Sequence, residues 1–206
     1  MKYTRTVAAM LAVLCLFGSA WAQRPKDKEP PPDYFPLRVN DWWSYRSTTG
    51  DGKQSEFTMK VVSEEKGVFL VEIQSAWPIQ EWYSKPAGWV VWHRESFPKS
   101  NQSVAFEPSR QYLKNPLGAG QTWSWKGKGM MGVDVDETST VAAAELVTVP
   151  AGKFQAMKVT TRVVQGGTPV TKTYWYANWV GLVKSMTDTG AVTSTTELVD
   201  YSFRKR

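Results

Sequence analysis

Short runs in which apolar and polar residues alternate make up nearly all of the chain after residue 32. Residues 57–61 read FTMKV and residues 69–73 read FLVEI, and turn sequences such as TGDG at 49–52 separate the runs. Alternation with a period of two is typical of strands that bury one face. No helical pattern of ten or more residues occurs in this part of the chain, so the sequence predicts an all-β fold.

The spacing of the turns predicts nine to ten strands in an antiparallel meander, because the short connections leave no room for parallel crossovers. The least regular stretch is 97–117, which holds three prolines, and we expect it to be a long crossing loop. A meander of this length must protect its edge strands. We therefore expect a strongly curved sheet that forms a half barrel or an open barrel, with a two-sheet sandwich as the alternative.

The first 22 residues have the features of a cleaved signal peptide. Lys2 and Arg5 precede an apolar run at 7–17, and Ala20 and Ala22 occupy the positions that determine cleavage. A polar, proline-rich linker follows at 23–32, then a single all-β domain at 33–203 and a basic tail at 204–206. Cys15 follows Leu14 rather than a small residue, so we predict an exported, periplasmic or secreted protein that is not a lipoprotein.

Composition excludes several classes of site from the mature chain. The only cysteine lies in the signal peptide, and the chain has a single histidine, His93. Thiol nucleophiles, disulfides and sites with two histidine ligands are therefore excluded. No glycine-rich phosphate loop precedes a helix, and no G-x-S-x-G nucleophile motif occurs. We expect no cofactor, no metal site and no catalytic residues, and hence a protein that is not an enzyme.

The net charge of +6 does not indicate a nucleic-acid partner. Two of the bases lie in the signal peptide and three in the tail at 204–206, so the body has no basic face that could follow a phosphate backbone. The tail could make weak contact with anionic lipid. We expect no nucleic-acid partner and no transmembrane segment after the signal peptide.

Several segments together resemble the exported bacterial β proteins sometimes labelled TapB-like, which are related to a domain of unknown function. These segments are Asp33–Leu37, Trp42–Tyr45, Val149–Phe154, Tyr174–Ala177, Val180–Lys184 and Glu197–Tyr201. The resemblance spans nearly the whole mature chain and implies an exported all-β fold. It implies no catalytic residues, and it departs at Asn40–Asp41 and Asn178–Trp179.

Aromatic residues are the one unusual component, with eleven Trp, eight Tyr and eight Phe. On a curved sheet these rings either fill the concave face as a solid core or line a cavity for a ligand, and the sequence leaves both open. The candidate ligand-binding residues are tryptophans on the predicted strands and turns: Trp77, Trp82, Trp89, Trp92, Trp123, Trp125 and Trp175.

The first functional hypothesis is a non-enzymatic cell-envelope protein that binds a partner protein or an apolar small molecule on its curved sheet. The alternative is a carbohydrate-binding or carbohydrate-active protein that uses Glu72, Glu81 and Glu95 beside aromatic platforms. That alternative requires at least two of these carboxylates to meet in one aromatic-lined cleft.

Overall fold

The computed structural model describes residues 30–203, which form twelve antiparallel strands. The strands are β1 (Trp42–Thr49), β2 (Gln54–Glu65), β3 (Val68–Gln74), β4 (Ile79–Ser84), β5 (Trp89–Phe97), β6 (Gln102–Lys114), β7 (Thr122–Lys128), β8 (Asp134–Val149), β9 (Gly152–Gln165), β10 (Thr168–Ala177), β11 (Gly181–Asp188) and β12 (Thr193–Tyr201). Two 3₁₀ turns, Pro98–Ser100 and Met130–Gly132, complete the regular structure of this range. The predicted signal peptide, the linker up to residue 29 and the basic tail lie outside the described residues and stay predictions.

All twelve strands belong to one sheet, in the order β6-β5-β4-β3-β2-β1-β12-β11-β10-β9-β8-β7. Every ladder joins sequence neighbours except that of β1 with β12, which runs from Trp43 opposite Tyr201 to Thr49 opposite Ser194. Register shifts interrupt most of the ladders, and bulges of this kind bend strands and increase their twist. The predicted strongly curved, open-barrel sheet is confirmed, and the fold is not a two-sheet sandwich.

The strand count is higher than the predicted nine to ten, mainly because the stretch at 97–117 is not a crossing loop. Most of it forms β6, which ends the sheet on one side. Pro108 fits because the ladder of β5 with β6 shifts register between Trp92 and Arg94, which leaves Pro108 in a bulge. Proline is tolerated at bulges and on edge strands, where its missing N–H breaks no ladder.

The two end strands, β6 and β7, meet along a seam that is joined by side chains. Trp125 Nε1 donates a hydrogen bond to the carbonyl oxygen of Pro108 at 3.0 Å. The ring of Phe106 packs edge-on against Trp125, and Trp89 packs edge-on against Trp123. The sheet is therefore nearly a closed barrel with one seam that lacks a backbone ladder.

The segment before β1 covers one end of this barrel. Asp33 accepts hydrogen bonds from Lys85 Nζ at 2.6 Å and Asn115 Nδ2 at 2.7 Å, and its carbonyl accepts one from the Trp179 amide. These partners come from three different connections at the same end of the meander. Phe35 then points inward, 5.2 Å from the ring of Tyr83 between centroids. The N-terminal cover, Asp33–Leu37, thus closes this end.

Candidate ligand cavity

The concave interior is partly filled and partly open. Beside a core of buried side chains it holds a cavity of about 460 Å³. This volume is far larger than the few water-sized voids of a close-packed interior. It lies within the ~300–1,000 Å³ typical of small-molecule sites. Of the two arrangements that the sequence leaves open, the structure has both a core and a cavity.

The wall formed by β1, β2 and β3 is apolar. Tyr45, Phe57, Met59 and Val71 point into the cavity from these strands, as their alternation with outward polar residues requires. The hydroxyl of Tyr45 donates a hydrogen bond to the Leu182 carbonyl oxygen at 2.9 Å, so this ring exposes no unpaired donor. This wall offers rings and alkyl groups to a ligand.

The opposite wall contains a buried ion pair that bridges the seam. Arg110 on β6 donates to both carboxylate oxygens of Glu137 on β8, with Nε 2.8 Å from Oε2. Both side chains are nearly buried, at 11% and 8% exposure. Burial opposes the charge of Arg110, yet Glu137 raises the pKa of its guanidinium above the ordinary value. Paired in this way, Arg110 stays charged and keeps a fixed position.

Aromatic rings surround the guanidinium of Arg110. Its Cζ lies 4.9 Å from the ring centre of Trp92, 5.5 Å from that of Tyr112 and 5.7 Å from that of Trp125. Cation–π attraction of this kind offsets part of the cost of removing the charge from water. The guanidinium makes its contacts with these rings and with Glu137, so Arg110 is a structural part of the wall.

Two further carboxylates, Glu81 and Glu95, line the cavity side by side. They are direct partners in the ladder of β4 with β5, a geometry that places Cβ atoms ~5 Å apart. Burial raises the pKa of Glu81 to about 7, against the hydrogen bond that it accepts from the Tyr83 hydroxyl. Burial also raises the pKa of Glu95. Near neutral pH, Glu81 is thus partly protonated.

Lys172 and Tyr174 project into the cavity from β10, two residues apart on the same face. Burial lowers the pKa of Lys172, and the nearby charge of Arg110 lowers it further. Burial raises the pKa of the Tyr174 hydroxyl, which keeps its proton. This part of the wall therefore presents hydrogen-bond donors to the cavity.

Two of the seven candidate tryptophans line the cavity. These are Trp92 and Trp125, both in contact distance of the Arg110 guanidinium. Trp89 and Trp123 pack against each other across the seam instead. Whether any of them binds a ligand stays a prediction.

The other three tryptophans lie away from the cavity. Trp82 is covered by the guanidinium of Arg94, 4.5 Å from its ring centre. The indole nitrogen of Trp175 donates a hydrogen bond to Glu145. Trp77, in the turn between β3 and β4, is 70% exposed. Their role in ligand binding likewise stays a prediction.

Glu72 and His93 are also separate from the cavity. Glu72 accepts a hydrogen bond from Gln80 at 2.9 Å. His93 lies between two hydroxyls, Ser84 Oγ at 2.7 Å and Ser109 Oγ at 3.0 Å, and burial lowers its pKa. Within residues 30–203 no group of three or more His, Cys, Asp or Glu side chains is arranged to hold a metal ion. No helix in that range is long and apolar enough to cross a membrane.

Sequence reasoning did not identify Arg110, Tyr112, Glu137, Lys172 or Tyr174 as residues of the site. Arg110 and Tyr112 fall in the stretch that was predicted as a loop, so no inward face could be assigned to them. For Lys172 and Tyr174 the signal was present, since both alternate with outward residues on a predicted strand. A lysine on the inward face of an aromatic strand is the feature that would have marked the site.

Comparisons with known proteins give a family match over part of the chain. Residues 111–198 match the model of the DUF3108-like family. No protein of curated function matches the chain. The predicted relation to a domain-of-unknown-function family is confirmed, whereas the TapB-like label is not.

Three solved structures are similar in fold. A protein from Bacteroides fragilis NCTC 9343, described as exported with a YmcC-like fold, has 17% identity and a TM-score of 0.52, with 83% of this chain and 99% of that chain covered. A protein from Parabacteroides distasonis ATCC 8503, described as a lipoprotein, has 15% identity and a TM-score of 0.49, with 84% and 100% covered. The lipoprotein YmcC from Escherichia coli has 10% identity and a TM-score of 0.44, with 77% and 84% covered.

These descriptions name exported proteins and lipoproteins, and none names an activity, a partner or a ligand. They give no support to the prediction that this chain is not a lipoprotein. The chain thus shares its fold with the Bacteroides fragilis protein that is described as YmcC-like, and its residues 111–198 match the model of the DUF3108-like family.

Proposed function

We propose that the protein is an exported, non-enzymatic binding protein that holds a small apolar or amphipathic molecule inside its barrel. The observation that supports this function is the cavity of about 460 Å³ within the curved sheet. Well-packed interiors leave few voids larger than a water molecule, so an opening of this size is a feature of binding proteins.

The walls of the cavity favour a ligand with an apolar body. Phe57, Met59 and Val71 offer apolar surface, and burial of such surface stabilises a complex by ~25 cal/mol per Å² before the cost of association. The N-terminal cover lies over one end of the cavity, where Phe35, Pro36 and Leu37 line it. A ligand therefore enters at the opposite end or through the seam.

Native mass spectrometry on protein purified gently from the periplasm tests this function. We expect a reproducible additional mass that organic extraction removes, and the extracted species identifies the ligand class. A bare mass, together with no uptake of the neutral fluorescent probe N-phenyl-1-naphthylamine, contradicts the proposal.

A matched pair of substitutions separates binding in the cavity from binding on the outer surface. Ile73→Trp places a large ring in the cavity, whereas Leu70→Trp adds the same ring to the outer face of the same strand. We expect Ile73→Trp to abolish most probe uptake and Leu70→Trp to leave it unchanged. Equal uptake by both variants places the probe outside the barrel.

A second candidate, a carbohydrate-active protein, is favoured by one observation. Glu81 and Glu95 are neighbours in one aromatic-lined cavity, and only one of two adjacent carboxylates ionises readily. Release of nitrophenol from a panel of p-nitrophenyl glycosides, lost in both Glu81→Gln and Glu95→Gln, supports this candidate. No release from any member of the panel argues for the binding function.

A further inference from the structure

Two opposite charges inside the cavity have no direct partner within residues 30–203. Glu95 projects from β5 and Lys172 from β10, and these strands lie on nearly opposite sides of the barrel. Neither side chain takes part in an ion pair or a side-chain hydrogen bond in this range, yet each is close enough to affect the pKa of the other. The cavity thus contains a separated positive and negative group that face each other.

The other charges of the cavity are already balanced. Arg110 and Glu137 neutralise each other through two hydrogen bonds. Burial raises the pKa of Glu81 to about 7, so its carboxyl is mostly protonated below neutral pH. The charge that a ligand meets is therefore that of Lys172 and Glu95.

A ligand with a single charge satisfies only one of these two groups. An anion that pairs with Lys172 faces the carboxylate of Glu95, and a cation that pairs with Glu95 faces the ammonium of Lys172. Like charges in a poorly hydrated site oppose binding, whereas attraction between opposite charges at both groups favours it. A ligand that contains both charges meets neither penalty.

The position of the two charges also fits the apolar wall. Glu95 lies two residues before the end of β5, near the end of the barrel that is opposite the N-terminal cover, and Lys172 lies midway along β10. The side chains of Tyr45, Phe57 and Val71 line the same cavity from β1, β2 and β3. A head group at Glu95 and Lys172 leaves the apolar body of a ligand among these rings.

We propose that the cavity binds a zwitterionic amphiphile, with the anionic part of its head group at Lys172, the cationic part at Glu95 and its apolar chain against the β1–β3 wall. This inference rests on the proposed binding function and names the class of its ligand. Tyr174, two residues from Lys172 on the same face, supplies a hydroxyl donor for the same anionic part.

Three amphiphiles with one dodecyl chain test the head-group preference. They are N-dodecyl-N,N-dimethylglycine, a zwitterion; dodecyltrimethylammonium, a cation; and dodecanoate, an anion. Each is titrated below its micelle concentration against the complex with N-phenyl-1-naphthylamine. We expect the zwitterion to displace the probe at about tenfold lower concentration than either singly charged analogue, because only the zwitterion pairs with both Lys172 and Glu95.

Two substitutions of similar size are expected to remove the advantage of the zwitterion over one singly charged amphiphile each. In Lys172→Met, the cation is expected to bind as well as the zwitterion, because only Glu95 remains to be paired. In Glu95→Gln, dodecanoate is expected to bind as well as the zwitterion, because only Lys172 remains to be paired. Lys60→Met, which removes the same charge from the outer face of β2 opposite Glu72, is expected to keep the order of the parent protein.

The outcomes separate the two proposals. The zwitterion proposal is overturned if all three amphiphiles displace the probe equally well, or if both variants keep the order of binding of the parent protein. Either result leaves the binding function intact. No displacement by any amphiphile, with a bare native mass, overturns both. Because the two variants lie on opposite walls, loss of folding in one, detected by circular dichroism, leaves the other as the test.

Discussion

Removal of the charge of Glu137 is expected to destabilise the protein more than any other conservative change in the cavity wall. Glu137→Gln keeps the size of the side chain and leaves Arg110, which is 11% exposed, without its counterion. Breaking one partner of a buried pair costs ~3–5 kcal/mol. The rings around Arg110 and the nearby Glu81 offset part of this cost, so we expect a loss of about 3 kcal/mol.

Equilibrium unfolding in urea, with circular dichroism as the readout, measures this loss. In a thermal melt the same loss is expected to lower Tm by about 6–12 °C, because ~1 kcal/mol shifts Tm by ~2–4 °C in a chain of this length. The double variant Arg110→Met, Glu137→Leu is expected to recover most of the stability, because it leaves no buried charge unpaired.

A matched control comes from the neighbouring residue on β8. Lys126 and Asp136 form an ion pair on β7 and β8 with 77% and 47% exposure, so Asp136→Asn is expected to cost less than about 1 kcal/mol. If Glu137→Gln costs no more than Asp136→Asn, or if the double variant is less stable than the single one, the reasoning about the seam is wrong.

Three further predictions concern the buried acid, the N-terminal cover and the seam. Burial raises the pKa of Glu81 to about 7 from an unfolded value near 4.5, so its contribution to stability is complete below pH 4.5 and falls by about 3 kcal/mol as the pH rises through 7. In Glu81→Gln, the free energy of unfolding in urea is expected to change less between pH 4.5 and 8 than in the parent protein. Identical pH profiles of the two proteins argue against this burial effect. Phe35→Ala removes a half-buried ring and is expected to lower the free energy of unfolding in urea by about 2 kcal/mol. The same variant is expected to release bound probe faster, and an unchanged release rate contradicts a covering role. A Cβ at residue 127 would lie 3.0 Å from the Glu107 carbonyl oxygen and closer still to a tryptophan ring, so Gly127→Ala is expected to lower Tm by several degrees. In the control Gly118→Ala the methyl group meets only a movable glutamine side chain, so a smaller decrease is expected. Equal Tm values for the two variants refute the close approach.

The all-β class and the curved sheet could be predicted because they depend on local patterns. Alternation in FTMKV and FLVEI defines β2 and β3, and turn residues at fixed spacing define the hairpins. The proline-rich stretch that contains β6 was mispredicted for a physical reason. Pro108 excludes a regular central strand, and the bulge in β6 together with its position at the end of the sheet makes this proline tolerable.

The cavity was only half predictable. The pairing of Glu81 with Glu95 follows from a short hairpin, and their adjacency is visible in the sequence. The contact between Arg110 and Glu137 depends on how β6 and β7 meet after the whole sheet has curved. The same is true of Glu95 and Lys172, which face each other only once the barrel has nearly closed. Contacts of this kind depend on closure, which alternation and turn spacing do not specify.

The ladder between β1 and β12 has a consequence for the order of folding. Every other ladder joins strands that follow each other in the chain, so each can form as a local hairpin. The β1–β12 ladder brings Trp43 to Tyr201, and a loop that encloses almost the whole domain must lose its conformational freedom before this ladder forms. Two six-strand meanders, β1–β6 and β7–β12, can therefore form separately, and their joining at the ends of the chain is the slow, entropy-limited step that creates the cavity.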